Sequence, residues 1–125
     1  MILQDYAAIG DNTNCYNVAT ITIGEYATVS QDSVLCTASH DSKQLHLPLL
    51  SSEIVIDSYA WICADTFIMP GVVVGRGAIV GARSTVFSDV APWTIEGGSP
   101  SKEIRKRYLN PQQEILDLDK ANYEQ

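Results

Sequence analysis

From Ile56 to Val90 the chain returns to an aliphatic residue at every sixth position, and this constrains the fold more than any other feature. Ile56, Ile62, Ile68, Val74, Val80 and Val86 take the first place of six successive units. Ala60, Thr66, Val72, Ala78, Ser84 and Val90, all small or β-branched, take the fifth. A half-buried strand would alternate every two residues and an amphipathic helix would repeat every ~3.6, so neither produces a return at six. A fixed short period marks a solenoid, and a period of six points to an all-β chain wound as a parallel β-helix. An antiparallel sandwich of short strands is the weaker alternative.

The beat begins before this stretch. Ile9 and Cys15 are first-place residues, with Thr13 and Ala19 in the fifth places; after a two-residue slip come Ile23, Val29 and Leu35, with Ala27, Ser33 and Ser39. Each unit reads as a short strand and a tight bend, aliphatic where it meets the core and small near the corner. Three units close one coil of about 18 residues, stacked on the next at ~4.8 Å. Gly10, Gly24, Gly75 and Gly81 follow inward residues, where backbone freedom is expected to serve. The period alone leaves the hand of the coil open.

Between Ser39 and Ile54 the beat stops. The insertion over 40–53, HDSKQLHLPLLSSE, has no helical spacing, and long loops in compact repeats tend to carry function. Leu45, Leu47, Leu49 and Leu50 need a surface to cover, either a face of this solenoid or a neighbouring subunit. Past Val90 the repeat ends. Ser101 is expected to cap a short helix bearing Lys102, Arg105, Lys106 and Arg107, and Asn110 with Pro111 to start a second one, giving a helical tail over 99–125. The coils are expected over about 5–95, all within one domain.

Composition narrows the partners. A net charge of -7 argues against nucleic acid, yet four of the eight Lys and Arg cluster at 102–107, where a small anion could bind. The three cysteines, Cys15, Cys36 and Cys63, lack metal-ligand or disulfide spacing, which fits a reduced compartment and needs no metal. No segment has the length and apolarity of a membrane helix, and the N-terminus lacks the regions of a signal peptide, so a cytoplasmic location is expected.

At several places the residues resemble the hexapeptide-repeat O-acetyltransferases. Leu-Cys-Thr-Ala-Ser-His-Asp (35–41), the loop behind it and Ile-Val-Ile-Asp-Ser-Tyr-Ala-Trp-Ile (54–62) carry the likeness. So do Pro-Gly-Val-Val-Val-Gly (70–75), Val-Gly-Ala-Arg-Ser (80–84) and Gly-Gly-Ser-Pro-Ser-Lys (97–102). The look is that of colanic-acid-type sugar acetyltransferases, with galactoside and maltose enzymes as relatives, over about Ile9 to Arg107. The resemblance implies a left-handed parallel β-helix and a homotrimer with active sites between subunits. It also implies acetyl-coenzyme A as donor, a sugar or polysaccharide precursor as acceptor, and His40 as general base. Neutral histidine suits that role near neutral pH, and direct attack on the thioester needs no acyl-enzyme.

Further roles follow from the same resemblance. Asn17 would face the acceptor, or be a corner asparagine that tolerates an unusual backbone angle. Asp41 would orient the imidazole or a backbone turn, or be a solvated loop carboxylate. Trp61, pointing outward, would wall the groove, or pack under the 40–53 loop. Ala82 would meet pantetheine through its backbone, and Lys102 and Arg105 the nucleotide phosphates. His46 and Trp93 read as structural. The chain departs from galactoside-type enzymes at Ala64 and at Phe87–Ser88, which places Arg76 or Arg83 as alternative phosphate contacts. A zinc carbonic anhydrase on the same fold needs three histidines, and His40 and His46 are the only two here. The competing reading is a trimeric scaffold without catalysis, since family members usually carry N-terminal sequence ahead of the coils and Met1 here runs almost straight into them.

Overall fold

The computed structural model describes residues 1–110. Their backbone winds as a parallel β-helix with three faces, taken in the order A, B, C on each turn. Face A stacks β1 (Ile2–Leu3), β4 (Ile21–Ile23), β9 (Ile54–Ile56) and β12 (Val73–Val74). Face B stacks β2 (Ala8–Ile9), β5 (Thr28–Val29), β10 (Trp61–Ile62), β13 (Ile79–Val80) and β15 (Thr94–Gly97). Face C stacks β3 (Asn14–Tyr16), β6 (Val34–Cys36), β11 (Phe67–Ile68) and β14 (Thr85–Val86). The result is the left-handed parallel β-helix of six-residue repeats that the sequence pattern and its resemblance imply.

The six-residue rule has a simple cause. Ile56, Ile62, Ile68, Val74, Val80 and Val86 all point inward with no exposed surface, and the fifth-place residues Ala60 to Val90 expose 2% or less. Equivalent residues lie above one another: Ile23, Ile56 and Val74 on face A, Val29, Ile62 and Val80 on face B, Leu35, Ile68 and Val86 on face C. Each column is a continuous apolar stack, so any other spacing would turn an aliphatic chain out to water.

Two of the three corners repeat without variation. At the A–B corner Tyr6, Tyr26, Tyr59, Gly77 and Trp93 all adopt positive φ, and at the B–C corner so do Asn12, Asp32, Asp65, Arg83 and Gly98. Left-handed backbone costs a non-glycine residue roughly 1–2 kcal/mol, and the coils offset this by pairing. Tyr6 stacks on Tyr26 at 4.8 Å between ring centroids, and Tyr26 on Tyr59 at 5.5 Å. The Trp93 ring lies over Gly77, where a Cβ would come within 2.3 Å of it. Arg107 closes the column, donating from Nη1 to the Tyr59 and Gly77 carbonyls, both at 2.9 Å. Inside the B–C corner Thr66 and Ser84 hydroxyls donate to the Gly81 carbonyl, and Ser33 to that of Cys63.

The third corner absorbs every change of length. Ile2 pairs with Thr22, Thr22 with Val55 and Val55 with Val73, steps of 20, 33 and 18 residues, and Val74 pairs with Val90, a step of 16. Spacing between inward residues locates the irregularities. Cys15 to Ile23 is eight, Leu35 to Ile56 is 21, Ile68 to Val74 is six, and Val86 to Val90 is four. All four intervals cross the C–A corner. The two-residue slip and the long insertion therefore project from the same edge of the prism, on consecutive coils.

Several expectations change. The glycines Gly10, Gly24 and Gly75 do not use positive φ; each lies where a Cβ would come within 2.5–2.6 Å of a backbone nitrogen of the next coil, and Gly81 alone of the four has room. Residues Lys102–Lys106 form β16, antiparallel to β15, and not the helix expected there. The free edge of β15 explains this, because an unpaired row of backbone groups is satisfied by a returning strand. Ser101 caps no helix; its hydroxyl donates to Glu96 Oε1 at 2.9 Å. The expected helix from Pro111 lies outside the described residues. The beat also ends earlier than the spacing suggests: Ser39 is exposed, and Thr37 takes the buried place near the corner.

Candidate active site

The insertion is a hairpin. β7 (Ala38–His40) and β8 (Leu49–Ser51) pair antiparallel, with His40 opposite Leu49. The partner of the exposed His40 ring fixes its tautomer, because Nδ1 lies 2.8 Å from the Leu47 carbonyl and a carbonyl only accepts. Nδ1 therefore carries the proton, and in the neutral ring the Nε2 lone pair faces outward. In 15N spectra of the neutral ring, Nδ1 is expected to show the protonated-type shift and Nε2 the unprotonated one. The reverse pattern would break this assignment.

Asp41 holds that arrangement indirectly. Its Oδ1 accepts from the Lys43 backbone at 3.0 Å and its Oδ2 from Gln44 Nε2 at 3.0 Å, so it orders the turn and does not touch the imidazole. The Gln44 side chain first, then the Lys43 N–H, hold the Asp41 carboxyl below its usual range. The Gln44 carbonyl in turn accepts from Leu47 N at 3.0 Å, and Leu47, at φ +50, presents its own carbonyl to His40. Leu47, expected only as apolar cover, thus serves the site through its backbone. His46 is exposed on the loop.

Asn17 lies on the two-residue expansion of the C–A corner, exposed and without positive φ, so the unusual backbone angle is not its reason for being there. His40, Asp41 and Asn17 thus share one corner over two coils. Trp61 does not join them. It stands 45% exposed on face B, opposite that corner, with Nε1 donating to Ser30 Oγ at 2.9 Å. Packing under the loop is therefore excluded for it. A cleft lined by Tyr26, Thr28, Tyr59, Ala60, Trp61 and Arg107 runs beside it.

Ala82 is exposed at the B–C corner, and Gly81 before it donates to the Glu96 carbonyl at 2.8 Å. Lys102 lies opposite Gly97 and Arg105 opposite Ile95, both exposed on β16. These three therefore extend the Trp61 face toward the C-terminal end of the prism. Of the two alternatives, Arg83 pairs with Asp65 at 3.5 Å and Arg76 lies over the Tyr59 ring. Among the described residues no group of three or more His, Cys, Asp and Glu could hold a metal ion.

The coils and the histidine-bearing hairpin that interrupts them define a protein of the hexapeptide-repeat β-helix class. The chain is 42% identical over 107 residues to the Escherichia coli K12 protein named as the colanic acid biosynthesis acetyltransferase WcaF, covering 86% of this chain and 59% of that one. It thus spans about three-fifths of the length of that relative. Among solved structures, the S84C mutant of the Bacillus cereus N-acyltransferase AntD, in complex with dTDP-4-amino-4,6-dideoxyglucose and coenzyme A, matches with TM-score 0.79 at 22% identity over 98% of this chain and 69% of its own. A Vibrio cholerae hexapeptide-repeat acetyltransferase complexed with acetyl-coenzyme A matches with TM-score 0.67 at 24% identity, covering 84% of this chain and 70% of its own. No family model matches. In sequence the chain is similar to proteins named as acetyltransferases, and in fold to the hexapeptide-repeat acetyltransferases.

Proposed function

We propose that this protein transfers an acetyl group from acetyl-coenzyme A to a hydroxyl of a sugar or polysaccharide precursor, with His40 as general base. The observation that carries the reading is the Nδ1–Leu47 hydrogen bond, which leaves Nε2 basic and outward. Nε2 takes the acceptor hydroxyl proton as the oxygen attacks the thioester carbonyl. The tetrahedral intermediate collapses, the C–S bond breaks, and the imidazolium returns the proton to the leaving sulfur. The products are the acetyl ester and free coenzyme A. The name of the colanic acid relative and the ligands of the two solved neighbours support the donor and the acceptor class. A cytoplasmic location suits a consumer of acetyl-coenzyme A.

The donor groove needs a second copy. His40, Asn17 and Asp41 lie on the C–A corner, whereas Trp61, Ala82, Lys102 and Arg105 lie on face B and its far corner. Setting the C–A corner of one copy against face B of the next joins the two groups, and three such head-to-tail contacts close a ring. Leu45, Leu47, Leu49 and Leu50, each more than half exposed, supply apolar surface for that contact. Acetyl-coenzyme A consumption against a panel of sugars, read beside light scattering, tests the proposal. A trimer with acceptor-dependent turnover is expected. A trimer that neither binds acetyl-coenzyme A nor turns over would leave a scaffold, and a monomer would remove the groove.

A further inference from the structure

The two irregularities of the C–A corner, on consecutive coils, are not independent, and one side chain joins them. Thr37 is fully buried at the foot of β7. Its hydroxyl donates to the Tyr16 carbonyl at 2.7 Å and accepts from the Ala19 N–H at 3.0 Å, so its two bonds bracket Asn17 and Val18. Its own N–H also donates to the Tyr16 carbonyl, at 3.1 Å, and its carbonyl accepts from Ser52 N, at 2.8 Å, on the return side of the hairpin. Thr37 therefore touches both feet of the His40 hairpin and both ends of the Asn17 expansion.

We infer that Thr37 is a positioning residue that sets the Asn17 corner at a fixed distance from His40. The two-residue expansion has no strand partner of its own, since β3 ends at Tyr16 and β4 starts at Ile21. A loop of that length keeps one position only if its backbone groups are tied, and the Thr37 hydroxyl ties both ends from one atom. Valine has nearly the same shape but offers the Ala19 N–H no acceptor. The loop would then sample other positions while the core beneath it stays filled. Its consequence for turnover rests on the proposed acetyl transfer; the clamp itself does not.

The test compares Thr37→Val and Thr37→Ser with the unaltered chain. Thr37→Val is expected to raise acceptor KM and lower kcat/KM about 10–100-fold, as a small misplacement of a reacting partner does. Acetyl-coenzyme A KM should stay within about twofold, because Ala82, Lys102 and Arg105 lie on another face, and Thr37→Ser should restore the acceptor values. Apart from activity, Ala19 amide exchange should accelerate and the Asn17 side-chain resonances should shift in Thr37→Val alone. Equal loss toward both substrates, or unchanged Ala19 exchange and Asn17 resonances, would overturn the inference. So would a Thr37→Ser chain that fails like Thr37→Val, and that arm decides even where valine prevents folding. If no variant transfers acetyl but the exchange and resonance effects appear, the clamp stands and the proposed reaction falls.

Discussion

His40→Ala is expected to lower acetyl transfer by a factor of about 10²–10⁴, the range for removing a positioned general base, with acetyl-coenzyme A binding unchanged. The separation follows from where the residues lie. His40 is exposed at the end of β7, and its ring bonds to the Leu47 carbonyl within the same hairpin. Its removal therefore leaves every strand pair of the prism in place. The residues assigned to the donor, Ala82, Lys102 and Arg105, stand on other elements. Turnover assays and calorimetry on the same preparations check both halves. A variant that keeps wild-type turnover would remove His40 from the mechanism, and one that loses acetyl-coenzyme A binding would move it to the donor side.

Gly24→Ala is expected to be the more damaging change to the fold. A Cβ there would lie 2.5 Å from Ser58 N and 2.7 Å from the Asp57 carbonyl carbon, both backbone atoms of the next coil. No rotamer change relieves such a contact; two coils must separate. Overpacking typically costs about 1–3 kcal/mol, and a rigid obstacle favours the upper end, or a fall in Tm of about 10 °C. Gly81→Ala is the matched control. It follows an inward valine as Gly24 follows an inward isoleucine, but its nearest obstacle, the Glu96 carbonyl oxygen, is 3.4 Å away. It should change stability by less than about 0.5 kcal/mol, as a surface substitution does. Thermal melts of the two variants decide the matter, and equal melting temperatures would sink the explanation.

The same glycines mark the boundary between what the sequence reveals and what it hides. Inward residues such as Ile56 and Val80 announce themselves because the core sees them at a fixed interval, whatever the neighbouring coil does. The reason for Gly24 is invisible in one dimension, since the atom it avoids belongs to Ser58, and only the coil-to-coil register brings them together. Strand β16 is hidden for a related cause. KEIRK has helix-forming residues, and the open edge of β15 that recruits it is a tertiary feature. Within the site, His40 and Asn17 stand out by residue type and motif. Thr37 and the Leu47 carbonyl do not, because one acts through a buried hydroxyl across 21 residues and the other through backbone alone.

Confining every change of length to the C–A corner makes that edge a socket. The A–B and B–C corners carry the aromatic column and the buried hydroxyls, which tolerate no insertion because each coil must superpose on the last. A loop exchanged at 40–53 would alter what meets His40 without moving Ala82, Lys102 or Arg105. On the proposed reaction, acceptor choice would then diversify at the C–A corner while the donor contacts assigned to face B stay fixed.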